Sequence, residues 1–257
     1  LMMLLYNQCK PYEKTKGETD KVLEKCEKTL AEKLVKGGFG KRKKNYKLIL
    51  DAFSSIQRDP ARKPRVGIVG EIYVKYSPLA NNHLEEFLIR EGCEPVVPGL
   101  MDFVLYCTVN NINDGKIYGF KNTVTRVSSL LYKILLSLSR KLNKTVMSYG
   151  GFDPMDDFEE LRKEADKLIN QGVKMGEGWL ITAEMGCLAK TGTKNIVCTQ
   201  PFGCLPNHIV AKGMSRKVKE EYPDANIVAI DYDPSATNVN QENRLKLMIA
   251  NIRENNE

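Results

Sequence analysis

Residues 195–208 read Asn195-Ile-Val-Cys-Thr-Gln-Pro-Phe-Gly-Cys-Leu-Pro-Asn-His208, a short apolar run followed by a loop that contains proline and glycine. The apolar run predicts a buried strand, and residues 209–221 predict a helix. Cys204 is therefore expected in a strand-to-helix loop, and in a parallel sheet such loops lie at the carboxyl edge, where ligands bind. Pro206 suits a first helical position, so we expect backbone N–H groups and the helix dipole to favour the Cys204 thiolate.

The alternation of strand and helix continues outward from this loop. Apolar runs bounded by glycine or proline predict further strands at 66–70, 94–98 and 226–230. Apolar periodicity predicts the helices, which lie at 118–144, at 156–171, after Gly178 and from Thr237 or Asn238 onward. Strands separated by helices predict an α/β fold, with a parallel flavodoxin- or Rossmann-like sheet covered by helices on both faces.

Two segments of this pattern carry more specific predictions. A helix is expected to begin at Asn81 or Asn82 and to end at Gly92, with Asn82 and Glu85 forming a capping box. Residues 145–151 fit either a short strand or a loop. Trp179, at the start of the buried helix, is expected in the core.

The segment before the first strand has a different character. Residues 1 to about 58 predict amphipathic helices with a break at 36–40. The polar, proline-marked stretch 58–64 separates a basic helical segment, 1–60, from an α/β domain, 61–257. Residues 1–65 hold 17 Lys and Arg against 8 Asp and Glu, within a formal net charge of +7 for the whole chain.

The densest basic cluster is Lys41-Arg-Lys-Lys44. It fits a solvated helix face, a phosphate site for a large cofactor, or a nucleic-acid patch. Only Tyr46 supplies an aromatic ring beside it, which disfavours nucleic acid. No apolar run approaches the roughly 18 residues of a membrane span, and no signal peptide is recognisable, so a cytoplasmic protein without membrane contact is expected. The apolar start, Leu1 to Leu5, has no cap, which predicts that the chain is the C-terminal fragment of a longer polypeptide.

The seven cysteines show neither the pairing nor the spacing of a disulfide framework or a zinc ribbon. Cys198 alternates within a strand, and Cys107 ends the apolar run 103–107, so both are expected to be packing residues. Cys204 differs from them because of its loop setting.

Three predicted strand ends meet at one edge of a parallel sheet: residues 70–71, 200–208 and 231–235. Glu71 fits a base or a ligand-orienting carboxylate, and equally a cap or a partner of Lys75. His208 fits a residue at a helix start whose imidazole pairs with free backbone N–H groups, or the base that activates Cys204 as a nucleophile. Asp231 and Asp233 fit either a magnesium site or caps of the terminal helix.

Six motifs resemble the 2-hydroxyacyl-CoA dehydratase D-component family (2-hydroxyglutaryl-CoA dehydratase-like), in the branch associated with ATP-dependent activases. They are Gly70-Glu-Ile-Tyr-Val-Lys75, Pro78-Leu-Ala-Asn-Asn82, Gly176-Glu-Gly-Trp-Leu-Ile-Thr-Ala-Glu-Met185, Gln200-Pro-Phe-Gly-Cys-Leu-Pro-Asn-His208, Ala229-Ile-Asp-Tyr-Asp-Pro-Ser235 and Asn240-Gln-Glu-Asn-Arg-Leu-Lys-Leu247. The resemblance covers nearly everything from residue 11 onward.

The resemblance implies a [4Fe-4S] cluster with ligands from more than one domain, an acyl-CoA substrate and an ATPase that supplies a low-potential electron. It implies a dehydratase-like lyase or a related reductase, in which Cys204 matches the last cluster cysteine and Asn207 is a further cofactor-binding candidate. Glu71 and His208 are then candidate catalytic residues. The other cluster ligands would come from an upstream domain of the same polypeptide, and a homo- or heterodimer is a further expectation. The alternative is a non-catalytic α/β module that binds acyl-CoA or docks the activase.

Overall fold

A four-stranded parallel sheet organises the described part of this computed structural model, which comprises residues 1–37, 41–119, 123–233, 235 and 238–254. The strands are β1 (Arg65–Gly70), β2 (Glu94–Val96), β3 (Asn195–Pro201) and β4 (Asn226–Tyr232). Their order across the sheet is β2-β1-β3-β4. In the register of the central pair, Gly70 lies opposite Thr199. All four predicted strands are therefore present.

Twelve α-helices are described around this sheet, with a 3-10 turn at Lys10–Tyr12 and a π turn at His208–Lys212. They are α1 (Met2–Cys9), α2 (Glu18–Val35), α3 (Arg42–Ser54), α4 (Ile72–Tyr76), α5 (Leu84–Arg90), α6 (Leu100–Ile117), α7 (Thr123–Tyr149), α8 (Phe158–Leu168), α9 (Trp179–Lys190), α10 (Leu205–Asn207), α11 (Ser215–Glu221) and α12 (Asn238–Glu254). None of these described helices combines the length and the apolar composition that crossing a membrane requires.

Both faces of the sheet are covered, as the fold class requires. Alternate strand residues point to opposite faces, so Val197 packs with α5 and α12 on one face. Its neighbours Ile196 and Cys198 pack with α9 and α11 on the other. The predicted α/β fold, with a parallel sheet between two helical layers and a helical segment before it, is confirmed.

The N-terminal helices α1 to α3 form a core of their own around Leu50 and Phe53. Val146 of α7 and Phe152 belong to the same core, so this layer rests on the end of α7. Lys41–Lys44 are exposed at the start of α3, as a solvated helix face would be. The predicted break at 36–40 begins after α2, and residues 38–40 lie outside the described part. The boundary between 1–60 and 61–257 stays a prediction.

The structure differs from the sequence predictions at several places. Residues 100–117, which carried no prediction, form α6. Helix α7 runs to Tyr149, so residues 145–149 are helical and not a strand or a loop. The helix ends at Gly150 and Gly151, which both have positive φ. Within this last part of α7, Val146 is fully buried in the core of the N-terminal helices.

The caps and the helix after β3 also differ from expectation. The N-cap position of α5 is His83, and the predicted capping box of Asn82 and Glu85 is replaced by Asn81, whose Oδ1 accepts from the Leu84 amide at 3.1 Å. The helix predicted at 209–221 is replaced by the π turn and α11, separated at Gly213. Thr237, one of the two predicted caps of α12, lies outside the described residues, and α12 begins at Asn238.

Candidate functional site

The order of the strands places a topological switch point between β1 and β3. From β1 the chain moves to β2 on one side and later returns to β3 on the other, and ligands of open α/β sheets bind outside the carboxyl ends at such a point. The Glu71 amide donates to the Thr199 carbonyl at 2.9 Å. The loops that follow β1 and β3 therefore begin side by side.

Cys204 lies in the loop after β3 with its side chain partly exposed. Its amide donates to the Pro201 carbonyl at 3.1 Å, and its carbonyl accepts from the His208 amide at 3.1 Å. The segment that follows is a three-residue helical turn that passes into the π turn. A helix dipole builds up over many aligned peptides, so the expected contribution of a long α-helix at this thiol is not realised.

The Asn207 side chain is fully buried directly behind the thiol. Its Nδ2 donates to Cys204 Sγ at 3.3 Å. Its Oδ1 has no hydrogen-bond partner among the described residues. A buried amide oxygen without a hydrogen-bond partner costs free energy. The Asn207 side chain therefore keeps its contact with the Cys204 sulfur although its own oxygen remains unpaired among the described residues.

His208 lies between the Cys204 loop and β4. Its Nδ1 is 2.7 Å from the Cys204 carbonyl oxygen, which is an acceptor, so Nδ1 carries the proton. Its Nε2 is 3.5 Å from Asp231 Oδ1. The fully buried Gln200 donates to the same Asp231 oxygen and lies 3.4 Å from the imidazole. The structure thus brings 200–208 and Asp231 together.

This arrangement does not pair thiol with imidazole. The described hydrogen bonds of His208 reach the Cys204 carbonyl, Gln200 and Asp231, and none of them reaches Sγ. A nucleophile pair requires the base within hydrogen-bond distance of the sulfur, so the geometry gives the hydrolase alternative no support.

Glu71 is a helix cap, which is one of the alternatives that its sequence position left open. It is the N-cap of α4, and its carboxylate accepts from the Val74 amide at 2.8 Å. It does not pair with Lys75, which binds the two carboxylate oxygens of Glu184 at 3.0 and 3.2 Å. Glu177, which the sequence analysis did not single out, accepts from the Ile72 amide at 3.1 Å and so ties the glycine loop before α9 to α4.

A cavity of about 520 Å³ lies beside the edge strand β2 and is lined by Glu184 and by the buried Asp102. Burial and then the charge of Glu184 raise the pKa of Asp102 to about 8, against an opposing effect of Lys75. Burial also raises the pKa of Glu184, and Lys75 opposes that shift. The sequence could not indicate this group, because its members come from α4, α6 and α9.

A pH dependence of stability follows from Asp102. Its folded pKa lies above the ordinary 3.8, so its favourable contribution is complete below about pH 4 and is lost as the pH rises through about 8. We expect the free energy of unfolding to fall by about 3 to 5 kcal/mol between pH 5 and pH 9 on account of this group. Asp102→Asn should remove most of that fall, measured by urea unfolding at both pH values. Parallel pH profiles of protein and variant would contradict the assignment.

The other six cysteines are poor candidates for ligands. Burial raises the pKa of every one of their thiols, to about 12 for Cys9 and Cys198. Cys198 is a packing residue as expected, whereas Cys107 is exposed on α6 and the expectation for it was wrong. Trp179 is fully buried, as expected.

The described residues supply one thiol for a metal cluster and no complete site. They contain no group of three or more His, Cys, Asp or Glu side chains that could hold a metal ion. Asp233 accepts from the amide and hydroxyl of Ser235, and Asp231 from Gln200, so neither caps α12 through its side chain in the described contacts. Among the described cysteines, Cys204 is the one in a loop at the carboxyl edge of the sheet.

Compared with known proteins, the chain matches no protein-family model, no curated protein and no solved structure. The resemblance to the dehydratase family therefore rests on the motifs of the sequence.

Proposed function

We propose that this chain is part of an iron–sulfur protein of the 2-hydroxyacyl-CoA dehydratase type, or of a related low-potential reductase, in which Cys204 is one ligand of a [4Fe-4S] cluster. One observation carries the proposal: the partly exposed Cys204 thiol lies at the switch point of the sheet and accepts a hydrogen bond from the buried amide of Asn207. Hydrogen bonds to ligand sulfurs tune the reduction potential of such clusters.

The remaining parts of the function belong to the same proposal. The other cluster ligands come from an upstream domain of the same polypeptide, and an ATP-dependent activase supplies electrons. The protein is cytoplasmic and works as a homo- or heterodimer. A bound cluster supplies single low-potential electrons to an acyl-CoA or another small molecule.

Within this site, the residues of the chain have separable tasks. Asn207 orients the thiol, and His208 presents Nε2 near the same loop, 3.5 Å from Asp231 Oδ1. Of the two acid–base candidates, His208 is better placed than Glu71, because the Glu71 carboxylate is engaged by the Val74 amide.

The natural protein, isolated without oxygen, is expected to contain about four iron and four sulfide per chain. Cys204→Ala should lose nearly all of both, together with the charge-transfer absorption, because an alanine offers no ligand. Cys107→Ala is the matched control, since it removes the other exposed thiol, and it should keep both. Full iron retention in Cys204→Ala would refute the ligand assignment.

An alternative function is favoured by a groove of about 600 Å³ between α2 and α3. Lys25, Lys44 and Lys47 line it beside Val22 and Leu48, a combination that suits the phosphates and the apolar arm of an acyl-CoA. In this alternative the chain is a non-catalytic module that binds acyl-CoA or docks the activase. Absence of iron in the oxygen-free protein, with calorimetric binding of a coenzyme A ester or of the activase, would favour it over the cluster.

A further inference from the structure

One face of α7 is apolar and uncovered. Five aliphatic side chains, each 45–64% exposed, form what we call the α7 stripe: Val124, Val127, Leu130, Leu131 and Ile134. Exposed aliphatic residues scattered singly are ordinary, but a contiguous group marks an interaction site.

The stripe is distinct from the face that attaches α7 to the protein. Val124, Val127, Leu131 and Ile134 follow one another at intervals of three and four residues, which places them along one side of the helix. The buried face is formed by a second series: Ser128, Tyr132, Leu136, Ser139 and Val146. At a rise of 1.5 Å per residue the stripe is about 15 Å long. This length and spacing match the seam by which one helix packs against another.

The charges of α7 indicate which sign of charge a partner surface should carry. The helix contains five basic residues and no acidic residue. Arg140 pairs with Asp157, whereas four exposed basic residues have no ion pair among the described residues: Arg126, Lys133, Lys141 and Lys144. Arg126 and Lys133 are seven residues apart and so lie on one side of the helix, next to Leu130. The stripe is thus bordered by unpaired positive charge.

These charges argue against a second copy of the chain as the occupant, because two copies of α7 would place like charges together, which is unfavourable. A lipid surface requires a broad apolar face that enters the headgroup region, and the buried series of α7 is already engaged in the core. We propose that the α7 stripe docks an acidic amphipathic helix of a partner protein. This surface is independent of Cys204 and goes beyond the proposed cluster.

The test uses a synthetic amphipathic helix of about three heptads, with leucine at the seam and glutamate at the flanking positions, labelled for fluorescence anisotropy. A peptide with lysine in place of glutamate is its charge control. The protein is expected to bind the glutamate peptide at least about tenfold more tightly than the lysine peptide. Leu131→Gln and Lys133→Glu should each weaken binding by about tenfold. Lys217→Glu on α11, an exposed charge reversal elsewhere, should leave binding unchanged.

Circular dichroism verifies that the variants fold, which is expected because the substituted side chains are exposed. The proposal is overturned if the glutamate peptide does not bind, or if Leu131→Gln binds it as tightly as the unmodified protein does. It is also overturned if sedimentation reveals a dimer that Leu131→Gln dissociates, or if the stripe instead governs binding to phosphatidylserine vesicles. We expect these variants to keep the iron content of the unmodified protein. A negative peptide-binding result would therefore leave the cluster proposal standing, and loss of the cluster proposal would leave this one standing.

Discussion

Gly70→Ala is expected to destabilise the protein by about 4 kcal/mol or more, enough to unfold much of it. Gly70 has φ +133°, a region in which residues with a side chain are strained. A Cβ at this position would also lie 1.9 Å from the Thr199 carbonyl oxygen, which is backbone and cannot move aside. The two effects act together where β1 ends against β3.

The measurement is urea unfolding followed by the fluorescence of Trp179, the only tryptophan of the chain and a fully buried one. Gly92→Ala is the matched control, because Gly92 also has positive φ but has open space around it. That variant should lose only about 1 kcal/mol, from the backbone conformation alone. Equal losses in the two variants would show that the contact with Thr199 is not responsible.

Lys75→Met is expected to cost about 3 to 5 kcal/mol of the free energy of unfolding. Lys75 and Glu184 are each at most 5% exposed, and they meet at 3.0 Å. Removing the lysine leaves the Glu184 carboxylate buried, with the charges of Glu177 and Asp156 nearby. An uncompensated buried charge is costly, whereas replacement of both partners by apolar side chains is often close to neutral.

The double variant Lys75→Met with Glu184→Leu should therefore recover most of the lost stability, and a double-mutant cycle measures the coupling. Lys28→Met is the control, because Lys28 forms an exposed pair with Glu24 in α2. It should leave the free energy of unfolding nearly unchanged, because exposed ion pairs contribute little. If Lys75→Met behaves like Lys28→Met, the pair does not hold α4 against α9.

The cost of breaking this pair bears on the candidate site. Lys75 belongs to α4, which begins directly after Glu71, and Glu184 belongs to α9. The pair and the contact between Ile72 and Glu177 hold the loop after β1 against the start of α9. The backbone next to the Cys204 loop is positioned by these contacts.

The predicted strands and most helices agree with the structure because their signals are local. The continuous apolar runs at 195–198 and 226–230 are typical of strands covered on both faces, and a proline follows each run within a few residues. The same local signals failed at 145–149, where α7 continues and Val146 packs in the core of the N-terminal helices. They also failed at 209–221, where apolar periodicity continued across the π turn and Gly213.

The sequence by itself determined that the chain forms a parallel α/β sheet and that Cys204 lies in a loop after a strand, because periodicity and loop residues act over a few neighbours. Only the tertiary structure decided the strand order and the ion pair between Lys75 and Glu184. It also decided the hydrogen bonds from Asn207 to the Cys204 thiol and from His208 to the Cys204 carbonyl. Lys75 and Glu184 are 109 residues apart. Contacts of that kind depend on how whole elements pack, and even within the Cys204 loop several side-chain orientations satisfy the same local pattern.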